Sequence, residues 1–406
     1  MTSLPHALLK PDDVPPMAAH VPVYLHSLAT AVPTPTYDAD WASELMQAHV
    51  AGRPATRRVI RNIYRNSGIE KRHSVVDDWG QAAALHPDTA PPPPLFFAPD
   101  DTRLPTPGTG ARNEVYAREA PILFERVARE LVESTPGFQA ADVTHVITIS
   151  CTGFFAPGPD FHVVRALGLP GTTERYHVGF MGCYAAFQGL RMARAFCLAD
   201  PEAVVLVLSA ELCTLHLQFT DDTDDLIAGA LFADGAAGAL VSARPPTSPT
   251  SGDRPVLELA GFHSELAPEG EKDMAWTIGD EGFRMKLSTY VPEIIEANLG
   301  PIVGQILGRA GLDADQVPWW AIHPGGRAIV DRVQTSMSLA DGQVAAARGV
   351  LRDYGNMSSA TVFFVLKALL DSGDLAPGDP ILAMAFGPGL TIETGLLRAR
   401  LPAPRS

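Results

Sequence analysis

The sequence predicts an α/β protein that is built from two similar halves. Predicted strands and amphipathic helices alternate along its 406 residues, and hydrophobic residues make up 46% of them. One helix-to-strand connection occurs twice, as GFQAADVTHVI at 137–147 and as GLDADQVPWWAI at 311–322. A polar, proline-rich stretch at 244–255 separates the two copies. We therefore expect a flexible arm over 1–20, a first half over 21–243 and a second half over 255–406.

Charge and composition exclude several classes of protein. The formal net charge of −15 argues against a nucleic-acid partner, which requires a basic surface. No run of about 18 apolar residues is present, so no membrane span is expected, and the N-terminus lacks the pattern of a signal peptide. The four cysteines (Cys151, Cys183, Cys197 and Cys213) show neither a C-x-x-C pair nor zinc-type spacing. We expect reduced thiols, no metal and a cytoplasmic location.

The order of elements in the first half follows from hydrophobic periodicity and from turn residues. We predict a strand at 21–31, a helix at 38–49 capped by Asp38 or Asp40, a proline-rich surface loop at 87–110 and a helix at 113–134. In that last helix, Ile122, Leu123, Val127 and Leu131 are expected to face the core. Buried strands follow at 143–150, 203–209 and 229–241.

A basic segment interrupts this acidic chain between residues 53 and 72. It carries seven lysines or arginines and one acid, Glu70. Arg57, Arg61 and Arg65 are spaced four residues apart, so on a helix they share one face and repel one another. A phosphate-bearing ligand would relieve that repulsion. A solvated face that pairs with acidic residues elsewhere explains the segment equally well.

Three residues form a candidate catalytic group: Cys183, His323 and Asn356. Cys183 leads into a run of helix formers, and the unpaired N–H groups of a helix N-terminus stabilise a thiolate. His323 ends the repeated strand of the second half, and Asn356 precedes the helix that corresponds to the one after Cys183. In a duplicated α/β fold these positions meet at one crevice. A histidine lowers the pKa of a nucleophilic cysteine, and histidine and asparagine both donate to an oxygen that becomes negative.

Each of these residues also has a simpler explanation when it is considered alone. A cysteine packs well at a helix N-terminus, a histidine at a strand end makes structural hydrogen bonds, and an asparagine caps helices. The matching positions of the three residues in the two halves favour catalysis.

Six short motifs occur along the chain in a fixed order. They are ATAVP at 29–33, MGCYAA at 181–186, LFADGA at 231–236, HPGG at 323–326, YGNMSS at 354–359 and FGPGLT at 386–391. With them the chain resembles the type III polyketide synthases, the chalcone-synthase-like family, over nearly its whole length. The resemblance implies a thiolase-like αβαβα fold, a homodimer, acyl-CoA and malonyl-CoA as substrates, and no metal or bound redox cofactor.

The resemblance also implies a role for particular residues. Cys183 would carry the acyl group, and His323 and Asn356 would stabilise the enolate that forms when malonyl-CoA loses carbon dioxide. Around them the resemblance implies a gate residue, Phe232, a cavity floor at Gly387, Pro388 and Gly389, and a cavity wall at Ser358. The family's basic positions for coenzyme A fall here on Val59, Asn62 and Asn66. The contacts are therefore expected at the neighbouring Arg58, Arg61 and Arg65, together with Ala328.

Three departures from the family pattern bear on the substrate. His216 stands where plant enzymes have a threonine, Met285 replaces a second gate phenylalanine, and Trp276 or a neighbouring residue replaces a cavity glycine. A flexible methionine suits an alkyl chain, whereas Trp276 and His216 reduce the space for elongation. We expect an aliphatic starter, few extensions and a pyrone or a phenolic product of the resorcinol or phloroglucinol type.

Three other functions share features with this one. A chain-initiating β-ketoacyl carrier protein synthase also uses cysteine, histidine and asparagine, but it condenses once and takes its extender from a carrier protein. The run DDTDD at 221–225 fits a magnesium–diphosphate motif, yet it is expected between strands and has no second acidic motif. A non-catalytic scaffold that binds acyl-CoA would not need all three candidate catalytic residues.

Overall fold

The structure is a computed structural model that describes residues 21–50, 54–78, 93–98, 100, 102–248, 255–267, 270–288 and 290–404. The predicted N-terminal arm and residues 87–92, 99 and 101 of the predicted proline-rich loop lie outside the described residues. The helices and strands below refer to the described part of the chain.

Helices and strands alternate as the periodicity predicts. The helices are α1 Ala39–His49, α2 Pro54–Asn66, α3 Thr109–Ser134, α4 Pro159–Leu167, α5 Ala185–Ala199, α6 Thr223–Leu231, α7 Val291–Arg309, α8 Arg327–Ser336, α9 Asp341–Tyr354 and α10 Thr361–Asp371. The strands are β1 Tyr24–Ala31, β2 Thr36–Asp38, β3 Lys71–His73, β4 His145–Ser150, β5 Glu174–Gly179, β6 Val204–Leu212, β7 Asp234–Ser242, β8 Thr247–Ser248, β9 Val256–Leu266, β10 Met274–Gly279, β11 Gly282–Leu287, β12 Trp319–Ile322, β13 Pro380–Gly387, β14 Thr391–Arg400 and β15 Ala403–Pro404. Asp38 caps α1 by accepting a hydrogen bond from the Trp41 amide, at 2.7 Å.

A mixed sheet of nine strands forms the centre, in the order β12-β13-β14-β9-β1-β7-β6-β4-β5. Its two halves meet where β1 pairs with β9 over only two residue pairs, Tyr24 with Glu258 and Leu25 with Leu257. The two half-sheets have matching strand orders when each is followed outward from that junction. The first half runs β1, β7, β6, β4, and the second runs β9, β14, β13, β12. The pairs β4–β6 and β12–β13 are parallel, as the buried apolar strands predict.

The helices form layers on both sides of the two half-sheets. Helix α3 packs on the first half-sheet and α7 on the second, while α5 and α10 lie between the halves and contact strands of both. The repeated connection is a short 3₁₀ turn in each copy. Gln139 with Asp142, and Asp313 with Gln316, form the same reciprocal cap. This is the αβαβα arrangement of a duplicated thiolase-like fold.

Two local predictions differ from the structure. Residues 223–231 form a helix, so the strand predicted at 229–241 begins only at Asp234. Ile122 is 43% exposed, although Leu123, Val127 and Leu131 are buried as expected. Pro121 inside α3 lacks the N–H that would complete the helical hydrogen-bond pattern, yet the helix continues through it because its inner face is buried.

Candidate active site

The turn that carries Cys183 is defined by a glycine. Cys183 lies two residues before α5 and is buried. Gly182 has a φ of +83°, and a Cβ at this position would lie 2.2 Å from Cδ of Pro388. Only glycine fits this approach, so the turn brings the loop at Pro388 against the cysteine.

His323 lies directly after β12 and is fully buried. Its backbone N–H donates to the Met384 carbonyl at 2.8 Å, which anchors the residue to the neighbouring strand β13. Within the described part of the chain, neither ring nitrogen has a hydrogen-bond partner. Burial lowers the pKa of the imidazole to about 3. At neutral pH the ring is therefore uncharged, with one N–H to donate and one nitrogen to accept a proton.

Asn356 is held by its backbone and by both ends of its side chain. Its N–H donates to the Leu231 carbonyl at 2.9 Å, and its carbonyl accepts from the Ala233 N–H at 2.9 Å. The side-chain oxygen accepts from the Ser358 N–H at 2.9 Å, and the amide nitrogen donates to the Gly325 carbonyl at 3.2 Å. The amide is thus oriented beside the loop of His323, and its second N–H remains able to donate.

These three residues line one central cavity of about 250 Å³. Most of its other walls are apolar and come from α6, β11, α7 and α8. They are formed by Ile227, Leu231, Phe232, Met274, Met285, Leu287, Val291, Ile329 and Phe386. The cavity reaches the surface at Ala328, which is exposed. The sequence therefore identified the three residues that the fold brings together, with Phe232, Met285 and Ala328 around them.

The charge state of Cys183 differs from the expected one. Burial raises the pKa of its thiol to about 11, while hydrogen bonds from Ser358 and Asn356 oppose the rise. The prediction of a thiolate stabilised by the helix N-terminus omitted this desolvation, which a sequence does not show. Transfer of the thiol proton to His323 would create a charge pair in a mainly apolar cavity.

Glu211 is a buried acid near Cys183 that sequence reasoning missed. Its carboxylate accepts hydrogen bonds from the Cys151 N–H at 2.8 Å, the Thr152 hydroxyl at 3.0 Å and the Ser359 hydroxyl. Burial raises its pKa to about 7. The signal in the sequence was a single acid inside an apolar strand. A carboxyl group that is buried there requires hydrogen-bond partners.

Two smaller spaces adjoin the central cavity. A pocket of about 30 Å³, here called the cysteine pocket, is lined by Cys183, Ser358, Pro388 and Trp276 among others. A mainly apolar space of about 80 Å³, here called the rear chamber, lies beneath α1 and α2. Phe232 and Met285 line all three spaces, and Trp276 lines the last two. These residues are the partitions between the spaces.

His216 lines the rear chamber and is absent from the walls of the two spaces around Cys183. Its Nε2 donates to the Thr152 carbonyl at 2.8 Å, and its Nδ1 accepts from the Phe283 N–H at 3.0 Å. The ring stacks on Phe283 with centroids 4.2 Å apart. The structure thus places His216, predicted to line the cavity, in the wall of the rear chamber. Phe283 was missed, although it lies two positions before Met285 and so on the same face of β11.

Phe232 owes its position to a buried arginine. The Arg72 guanidinium donates to the carbonyls of Gly229 at 2.7 Å, Ala230 at 2.8 Å and Phe232 at 3.3 Å. It therefore caps the C-terminus of α6, where a positive charge complements the helix dipole. Phe232 is the residue that follows this capped end.

Of the residues predicted for the cavity floor and wall, two lie beside Cys183 in the structure. Pro388 lines the cysteine pocket, and Ser358 lines it as expected. A Cβ on Gly387 would lie 2.4 Å from the Tyr184 ring, and Gly389 has a φ of +72°. The two glycines thus act through the backbone path of the loop, because neither presents a side chain to the cavity.

The three predicted coenzyme A arginines lie on α2 and are exposed. Arg58, Arg61 and Arg65, together with Arg57, line a surface groove of about 490 Å³, here called the outer groove. In the described part of the chain these four side chains make no ion pair; Arg61 donates to Gln47 at 3.1 Å. The explanation by pairing with acids elsewhere is therefore not supported.

The acidic run at 221–225 forms the start of α6. Asp222 caps the helix by accepting from the N–H groups of Asp224 and Asp225, and Asp225 pairs with Arg284 at 2.6 Å. No group of three or more potential metal ligands occurs among the residues that the structure describes. The same residues include no helix long and apolar enough to cross a membrane.

Comparisons with known proteins agree on one class. Family models of the chalcone and stilbene synthases match twice, the N-terminal domain over residues 97–245 and the C-terminal domain over 258–400. The chain therefore belongs to the chalcone and stilbene synthase family, the type III polyketide synthases, and is a condensing enzyme of the acyltransferase type.

Several individual proteins are similar along most of their length. The 1,3,6,8-tetrahydroxynaphthalene synthase of Streptomyces coelicolor is 32% identical over 73% of this chain and 77% of its own. The alpha-pyrone synthesis polyketide synthase-like Pks18 of Mycobacterium tuberculosis is 28% identical over 94% of this chain and 92% of its own. The crystal structure of PKS-I from the brown alga Ectocarpus siliculosus aligns with a TM-score of 0.82 at 29% identity, over 93% of this chain and 98% of that one.

Proposed function

We propose that this type III polyketide synthase loads an acyl-CoA starter onto Cys183 and extends it with malonyl-CoA by decarboxylative condensation. The observation that carries the proposal is the presence of Cys183, His323 and Asn356 in the wall of one mainly apolar cavity. Each of them offers the chemistry that one step requires.

In the loading step, the sulfur of Cys183 attacks the thioester carbonyl of the starter and the coenzyme A thiolate leaves. His323 takes the thiol proton and returns it to the leaving sulfur. Its uncharged resting form and its unpartnered ring nitrogens within the described structure suit this role.

In the extension step, the malonyl thioester loses carbon dioxide and leaves an enolate. The N–H of His323 and the second amide N–H of Asn356 donate to the enolate oxygen. The enolate carbon then attacks the thioester on Cys183, which forms the new carbon–carbon bond and frees the cysteine. No metal and no bound redox cofactor takes part in this scheme.

An aliphatic starter and few extensions fit the spaces around Cys183. Met285 is flexible and separates the central cavity from the rear chamber, so a change of its rotamer gives an alkyl chain more room. The cysteine pocket of about 30 Å³ leaves little space for a long polyketide. We propose release as a pyrone or as a small phenolic product.

We also propose a homodimer in the cytoplasm. The four cysteines are free thiols, which fits a reducing compartment. Sedimentation analysis of the purified protein tests the dimer directly.

The test of the proposed function is mass spectrometry of products. The purified protein is incubated with malonyl-CoA and a panel of acyl-CoA starters that runs from acetyl to long-chain and aromatic. We expect pyrones or phenolics, highest with aliphatic starters, and none from Cys183→Ala. If malonyl-CoA is never consumed but a malonyl carrier protein is, the protein is a β-ketoacyl synthase and the proposal is wrong.

A further inference from the structure

A hairpin turn between β13 and β14 closes over the turn that carries Cys183. The two strands pair as far as Gly387, so residues 388–390 form the hairpin turn. A Cβ on Gly182 would lie 2.2 Å from Cδ of Pro388, and a Cβ on Gly387 would lie 3.5 Å from the backbone nitrogen of Cys183. Pro388 also lines the cysteine pocket of about 30 Å³. Because this pocket is so small, even a slight displacement of the hairpin turn changes the space around the sulfur.

A buried ion pair connects this hairpin with the helix that follows Cys183. Glu393 of β14 is fully buried. Its carboxylate accepts hydrogen bonds from the Gln188 side-chain amide at 2.7 Å and from the Arg191 guanidinium at 2.5 Å, and both donors belong to α5. The Arg191 guanidinium also lies over the ring of Phe262, with its Cζ 5.5 Å from the ring centroid. Glu393 therefore fixes β14 and α5 relative to each other.

This ion pair is better suited to fixing a position than to adding stability. The cost of removing two charges from water offsets much of their attraction, so replacing a buried ion pair with apolar side chains is often neutral. The hydrogen bonds are directional, however, and they are satisfied only when helix and hairpin are aligned. The Arg191 side chain is 38% exposed, so water can hydrate it when the acid is removed. A variant of Glu393 can therefore fold and still lose this alignment.

We propose that Glu393 is a positioning residue that holds the hairpin turn at Pro388 against the turn of Cys183 and thereby sets the geometry of condensation. This inference rests on the proposed function. Cys183 lines both the central cavity and the cysteine pocket, so the wall at Pro388 limits how an acyl thioester on the sulfur presents its carbonyl to the enolate. When the hairpin turn moves away, extension slows. Release of the chain by hydrolysis or by its own cyclisation does not require this alignment, so the chain leaves after fewer extensions.

The decisive variant is Glu393→Met, which keeps a side chain of similar length and removes both acceptor oxygens. Glu393→Gln is the conservative variant, because its amide oxygen still accepts a hydrogen bond from Arg191. Glu258→Met is the matched control. Glu258 of β9 pairs with Arg400 at 2.7 Å, and Arg400 is the last residue of β14, at the end away from the hairpin turn.

Turnover and product analysis compare these proteins. With malonyl-CoA and a saturating aliphatic acyl-CoA starter, we expect kcat of Glu393→Met to fall by about 10- to 100-fold, the effect of a misplacement of about 1 Å. Mass spectrometry should show a shift toward products with fewer extensions. Glu393→Gln and Glu258→Met should keep the wild-type product ratio. A merely structural role would lower the fraction of active protein, and that fraction does not alter a product ratio.

Alkylation of Cys183 by iodoacetamide, followed on the peptide that contains it, is a measurement that needs no turnover. We expect a several-fold faster reaction for Glu393→Met, because the displaced hairpin turn uncovers the sulfur, and wild-type rates for the other two variants. If this pattern appears but the wild type makes no polyketide, the proposed function fails and the role of Glu393 in holding the hairpin turn stands.

Three results would overturn the inference. The first is a wild-type product ratio from a Glu393→Met protein that melts cooperatively. The second is an equal change of the product ratio in Glu258→Met, which would mean that any loosening of β14 has the same effect. The third is a change in Glu393→Gln as large as that in Glu393→Met, which would mean that the hydrogen bonds do not hold the hairpin turn.

Discussion

Glu211 shows how a single buried residue influences the nucleophile. Its carboxylate connects the end of β4, through Cys151 and Thr152, with the 3₁₀ turn of Ser359 in the second half. Its pKa of about 7 means that its charge changes in the physiological range. When it is ionised, its negative charge raises the pKa of the Cys183 thiol. Glu211 is therefore a positioning residue that also sets the reactivity of the cysteine.

Glu211→Gln is expected to make Cys183 more reactive at pH 8. The substitution removes a negative charge that the wild type carries above about pH 7, so the pKa of the thiol falls. The rate of alkylation by iodoacetamide should rise by up to about tenfold, the effect of one pKa unit. At pH 5.5 or so, where Glu211 is protonated, the two rates should converge. A ratio of the two alkylation rates that does not change with pH would contradict this account. Glu119→Gln is the control, because Glu119 is a buried acid that pairs with Arg118.

At the scale of elements, the active site is held by turns that leave strands and enter helices. Cys183 precedes α5, His323 follows β12 and Asn356 precedes the 3₁₀ turn that leads into α10. The bridge between Phe232 and Asn356 joins the end of α6 to this last turn. Each candidate catalytic residue therefore lies where a regular element begins or ends.

Gly182→Ala is expected to damage both stability and activity. The φ of +83° costs an alanine about 1–2 kcal/mol, and the added Cβ would collide with Pro388 at 2.2 Å. Gly168→Ala provides the comparison, because Gly168 has a φ of +62° but no atom within 4 Å of the added Cβ.

Thermal melting and kcat are the two measurements for this pair. We expect Gly168→Ala to lower the melting temperature slightly and to keep kcat, whereas Gly182→Ala lowers both, since it displaces the loop at Pro388. Equal losses of stability in the two variants, with kcat retained, would show that the contact with Pro388 is unimportant.

At the scale of the whole molecule, the duplication places one cavity between two halves, and further elements of both halves shape the rear chamber. Its aromatic side chains Trp276, Phe283 and His216 belong to β10, β11 and the turn after β6. The indole N–H of Trp276 donates to the Cys151 carbonyl at 2.8 Å, which fixes the ring between the cysteine pocket and the rear chamber. We therefore expect product length to depend on Trp276, which lines the cysteine pocket together with Cys183.

Trp276→Ala is expected to yield longer polyketides. Removal of the indole joins the cysteine pocket to the rear chamber, so the chain gains room for at least one more malonyl unit. Trp41→Ala is the control, since Trp41 lines the rear chamber but not the cysteine pocket. Mass spectrometry should show added acetate units for Trp276→Ala alone. An unchanged product distribution in a folded Trp276→Ala protein would mean that the partition does not limit extension.

The sequence by itself determined the duplicated α/β architecture and the three residues at its crevice. Hydrophobic periodicity and the repeated connection report on local structure, and the short motifs around Cys183, His323 and Asn356 mark the ends of elements. Only the tertiary structure decided the charge state of Cys183, the place of His216 in the rear chamber and the place of Glu211. Desolvation, ring stacking and shared walls depend on residues distant in the chain, such as Phe283 beside His216. No local pattern contains those distances, because they exist only once the two halves have packed together.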